Sequence, residues 1–135
     1  RIVAVGAGRS EQVAVAVVDA KGQWTIQGVD RKLNSAWQVP VGSLFFTDNE
    51  IEPVAAVQTT GGETLWAVAD ARNLVYLISG DGKWLGDFEA DADVQGLALV
   101  ADGDDISLIV SMKGAVEGWA LNYDARVTQP VSVRP

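Results

Sequence analysis

The sequence has no cysteine and no histidine, one methionine and four prolines in 135 residues. Without cysteine there is no disulfide, no thiolate nucleophile and no thiolate metal ligand. Without histidine the Ser-His-Asp and Cys-His triads and imidazole metal sites are excluded as well. Basic residues are also few: 10 Lys and Arg stand against 18 Asp and Glu, a formal net charge of −8. A field of that sign repels phosphate backbones. The cations are scattered singly, with Arg31–Lys32 the only adjacent pair, so no nucleic-acid partner is expected. Long apolar runs are missing too. Val13 to Val18 is typical of the longest, far short of the roughly 20 residues that span a bilayer, and no membrane partner is expected.

What is present is a chain rich enough in apolar residues, at 48%, to bury a core as one domain. It opens on Arg1 rather than Met and without a signal-peptide pattern, which fits a processed product or a piece of a longer protein. The absence of cysteine suits reducing and oxidising compartments alike, which leaves localisation open with a slight lean to the cytoplasm.

A repeat organises the sequence. Val54-Ala55-Ala56-Val57, Gly61-Gly62-Glu63 and Leu65-Trp66-Ala67-Val68-Ala69-Asp70 recur 42 residues later as Gly96-Leu97-Ala98-Leu99, Gly103-Asp104-Asp105 and Ser107-Leu108-Ile109-Val110-Ser111-Met112. The same block lies 51 residues earlier, where Ala14-Val15-Ala16-Val17-Val18-Asp19 matches Leu65 to Asp70. Valine, isoleucine and tryptophan favour strands, and Lys21-Gly22, Gly61-Gly62, Asp81-Gly82 and Asp102-Gly103 supply turns between them. Each repeat reads as four short strands: Ile2–Val5, Gln12–Val18, Gln23–Gln27 and Ser35–Val39; Pro53–Gln58, Thr64–Ala69, Leu74–Ile78 and Trp84–Phe88; Val94–Val100, Ile106–Ser111, Val116–Leu121 and Val127–Val133. One β-repeat domain over 1–135 follows, with units at 1–40, 53–88 and 94–133 and a linker or insertion at 41–52.

Four antiparallel strands about every 42 residues resemble the blades of a β-propeller, and the chain is similar in architecture to the WD-type and quinoprotein-like propeller superfamilies. The Gly-His and Trp-Asp dipeptides of WD-type blades are absent, and Trp24, Trp37, Trp66, Trp84 and Trp119 fall at different strand positions. The resemblance implies an all-β fold of three four-stranded blades. Closed propellers have four to eight blades. Two arcs would close a six-bladed ring, so a homodimer or another propeller arc is the expected partner.

Candidate chemistry is sparse. Phe45 and Phe46 lie in the insertion beside Thr47-Asp48-Asn49, and Trp119 and Tyr123 alternate along a terminal strand; these four are the candidate partner- or ligand-binding residues. Asp102, Asp104 and Asp105 are oxygen donors of the kind that hold Ca²⁺ or Mg²⁺, yet Asp102-Gly103-Asp104-Asp105 reads more simply as a hairpin turn, and no metal is expected. Asp87, Glu89, Asp91 and Asp93 alternate as the solvent side of a strand would. Asp19 and Asp70 are repeat-equivalent, which suits turns better than a catalytic pair needing unlike environments. No catalytic residue and no cofactor is assigned. The expectation is a non-enzymatic protein-binding or scaffold module acting as an oligomeric propeller. A carbohydrate- or small-ligand-binding propeller is the alternative, and a carboxylate-dependent hydrolase comes after it.

Overall fold

The structure is a computed structural model that describes residues 2–7, 12–42, 54–121 and 131–133, the first and last of these segments by their backbone. Among the described residues there is no helix. The first sheet runs β1 (Ile2–Ala7), β2 (Val13–Val18), β3 (Trp24–Val29) and β4 (Ser35–Gly42). The second runs β5 (Val54–Gln58), β6 (Thr64–Ala69), β7 (Leu74–Ser79) and β8 (Trp84–Glu89). The third runs β9 (Val94–Asp102), β10 (Asp105–Met112), β11 (Ala115–Leu121) and β12 (Val131–Val133). Each is a four-stranded antiparallel meander in which chain neighbours are sheet neighbours.

The strands follow the repeat to within two residues at either end, with two larger differences. β4 runs to Gly42, two residues into the segment expected as a linker, because Val41 continues the buried alternation of Trp37 and Val39. The last strand, expected over Val127–Val133, comprises Val131–Val133 in the described residues and pairs with Gly118 to Ala120.

One turn geometry joins most of the strands. At Asp19 the backbone N–H donates to the Gln23 carbonyl, and the Gly22 N–H donates back to the Asp19 carbonyl. The Asp19 Oδ1 then accepts from the N–H groups of Lys21 and Gln23. Asp30 and Asp70 repeat this arrangement, and Thr59 and Ser79 make part of it with a hydroxyl acceptor. The fourth residue must adopt positive φ, as in a type I turn followed by a bulge. Glycine or asparagine fills that position in four turns, and Leu33, at φ 65°, fills it in the fifth.

Burial shows how the sheets stack. Every residue of β6 and all but the first of β7 are buried. In β2, β4 and β10 burial alternates instead. Among the described residues the second sheet is thus buried on both faces, whereas the first and third are buried on one. Alternation is the mark of a sheet with one wet face, and continuous burial marks a central one. The backbones of β1 and β9 both approach β5, so the opening strands of the three sheets lie near one another.

Candidate functional site

Each sheet has a leading face, turned toward the preceding sheet, and a trailing face, turned toward the following one. In the first sheet Ala14 pairs through Gly28 to Trp37, and Ala16 through Ile26 to Val39. These residues form the buried trailing face. Trp37 meets Trp66 of the second sheet's leading face at 5.4 Å between ring centroids. On the second sheet's trailing face, Phe88 stacks on Trp119 of the third at 4.3 Å and 29°. Both junctions therefore set a trailing face on a leading face.

The first junction has polar ties as well. Gln12 accepts from the Trp66 indole N–H at 3.2 Å and donates to the Gly80 carbonyl. The Ala71 N–H donates to the Val41 carbonyl at 2.8 Å. Beside that tie, the Asp70 side chain is almost wholly buried and collects the Arg72 guanidinium at 2.9 Å, the Tyr76 hydroxyl at 2.9 Å and two backbone N–H groups. Burial pushes the Asp70 carboxyl up, but the Arg72 side chain, the Leu74 N–H, the Tyr76 hydroxyl and the Arg72 N–H outweigh it and hold the group below its ordinary value. Burial, and then the hydrogen bond to Asp70 and the Asp70 charge, raise the Tyr76 hydroxyl in turn. The Asp30 carboxyl is lowered chiefly by the Asn34 N–H, and that of Asp81 chiefly by the Ser79 hydroxyl. These are features of turns and junctions: the carboxylates that shift move down, whereas a general acid needs one moved up.

At the second junction Asn73 donates to Asp93 and accepts from the Val94 N–H. Thr60 donates to Asp104 at 2.8 Å. The tips of these two sheets leave a cleft of about 260 Å³ lined by Thr59, Thr60, Gly61, Glu63, Gly103, Asp104 and Ile106. It has no aromatic wall among the described residues.

The residues singled out in the sequence are dispersed. Asp102 and Asp105 pair across the β9–β10 turn, with Gly103 at φ 60° between them, and Asp104 is the acceptor of Thr60; all three carboxylates are exposed. No group of three carboxylates gathers in metal-binding geometry among the described residues. Trp119 lies in the junction between the second and third sheets, not on a free surface. Phe45, Phe46 and Tyr123 lie outside the described residues. Asp87, Glu89, Asp91 and Asp93 are exposed and alternate with less exposed residues. Met112, which stands where Asp19 and Asp70 stand in the other repeats, is buried in the core.

The candidate surfaces that remain are the two uncovered faces. The leading face of the first sheet carries Val13, Val15 and Val17 on β2, opposite Val29, Gln27 and Thr25 on β3. The trailing face of the third carries Ser107, Ile109 and Ser111 on β10, flanked by Ala98 and Val100 on β9 and by Val116, Gly118 and Ala120 on β11. Val13 is 38% exposed, Val100 52% and Val116 54%. Among the described strand residues of these two faces the charged ones are Asp102 and Asp105, paired at the turn end of the third sheet's trailing face. The repeat implied two end faces, but their residues could not be singled out in the sequence because the same valines and alanines form covered and uncovered faces. Only the stacking order separates them.

No protein-family model matches the chain. No curated protein matches it. Among solved structures it is similar to a protein of unknown function from Bacteroides caccae, at 16% identity and a TM-score of 0.46, over 94% of this chain and 43% of that one. The chain thus spans less than half the length of that protein.

Proposed function

We propose that the chain is a non-enzymatic protein-binding scaffold: an arc of three β-propeller blades that works as an oligomer, with its two uncovered sheet faces as the binding surfaces. The observation that carries this reading is the contrast between a middle sheet buried on both faces and flanking sheets buried on one. Apolar-rich sheet faces are poor neighbours for water and good ones for another sheet. Among the described residues the tip cleft has no aromatic platform for a sugar, and the lowered carboxylates give no support to a hydrolase.

The absence of cysteine makes a direct test simple. V15C and I109C each place a single thiol on one face. Light scattering after size-exclusion chromatography should give a mass above the 14.3 kDa of one chain, and both thiols should resist a bulky maleimide. A monomer whose two thiols both react freely would overturn the reading.

A further inference from the structure

The two covered junctions are the same kind of contact. Val15, Trp66 and Leu108 are equivalent positions of the repeat, as are Val17, Val68 and Val110. Trp66 and Val68 are on the leading face that meets the first sheet, and Leu108 and Val110 are on the leading face that meets the second. The uncovered Val15 and Val17 belong to this series. The second series runs Ala14, Leu65 and Ser107, then Ala16, Ala67 and Ile109, all on trailing faces. Its last members, Ser107 and Ile109, are the ones left uncovered. Among the described residues the three sheets thus leave one uncovered leading face and one uncovered trailing face, the two halves of a contact that occurs twice internally.

We propose that a second copy of this chain supplies both missing halves, with the trailing face of each third sheet seated on the leading face of the other copy's first sheet. This rests on the scaffold reading above and adds the partner and the polarity of the contact. The chemistry fits. Val13, Val15 and Val17 would meet a face of Ile109, Ala98, Val100, Val116, Gly118 and Ala120, apolar on both sides, with the paired Asp102 and Asp105 left at the turn end of that face. A like-to-like contact has no counterpart in the molecule, since neither internal junction joins two leading or two trailing faces. The two contacts of a closed pair act together: once one forms, the other is intramolecular. A two-fold ring of this kind is closed even though each of its contacts is head to tail.

The polarity is testable by complementation. V13R obstructs the leading face and V100R the trailing face, both at positions exposed enough to leave the fold intact, which circular dichroism checks. Wild-type chain should have twice the mass of one chain. V13R alone and V100R alone should each be monomeric, since every contact needs one face of each kind. Their equimolar mixture should recover a one-to-one pair, held by one contact and thus needing at least tenfold more protein. If wild type associates but only one variant fails to, the contact is like-to-like; the polarity is then wrong while the scaffold reading stands. Association of wild type into species larger than two chains would also overturn the pair. A wild-type monomer would overturn this proposal, and together with free maleimide labelling the scaffold reading too.

Discussion

The indole of Trp37 packs against Gly28, its cross-strand neighbour, so closely that a Cβ on Gly28 would overlap its Nε1, Cε2 and Cδ1 atoms. This packing turns Trp37 toward Trp66 and puts its Nε1 in a place with no acceptor among the described residues. Gly28→Ala should expel the indole from the first junction. The expected cost is about 1–3 kcal/mol by urea unfolding, with a red-shifted tryptophan emission. Unchanged stability and emission would show that the ring is not held there.

Asp70 makes the first junction acid-sensitive. A carboxyl whose pKa is lower in the folded than in the unfolded state adds stability that is complete above the unfolded value and disappears as pH falls through the folded one. Stability should therefore decline from about pH 4 downward. Asp70→Asn should cost about 2 kcal/mol at neutral pH, because its amide group presents a donor to Arg72 and Tyr76, and should flatten the acid decline. Thermal unfolding at a series of pH values reads both effects.

Gln12 is the acceptor of the fully buried Trp66 indole. Gln12→Leu removes it and leaves a buried N–H unpaired. The expected loss is about 1–3 kcal/mol, seen as a lowered urea midpoint. Gln12→Glu keeps an acceptor for Trp66 but loses the donor to Gly80, so it should fall between the two.

Leu33 is the odd member of the turn family. Its side chain is 83% exposed at φ 65°, where Gly22, Gly62, Asn73 and Gly82 avoid or tolerate the strain. Leu33→Gly should stabilise the protein by about 1 kcal/mol, read as a higher melting temperature.

Most of the strands were legible because period-two alternation and Gly-containing turns bound them, as at Thr64–Ala69, where expected and observed limits coincide. Val41 reads as linker in the sequence because the extra length of the first repeat unit falls from there to Glu52, while the burial that keeps it in β4 comes from another sheet. The repeat marked Asp19 and Asp70 as turn residues, and they open turns of one kind. Asp30, Thr59 and Ser79 play the same part without being repeat-equivalent; the signal available was a short polar side chain three residues before a residue at positive φ. The roles of Arg72 and Tyr76 depend on where the next strand returns, and no spacing rule marks them.

The meander topology has a bearing on how the chain acquires its shape. In every sheet each strand pairs with the one made just before it, so assembly of a sheet closes only short loops. Short closures have a small entropy cost, and chains dominated by local pairings fold quickly. The long-range step left over is the docking of finished sheets. A chain leaving the ribosome completes its first sheet before the second is synthesised, so each new leading face emerges to find its counterpart already in place.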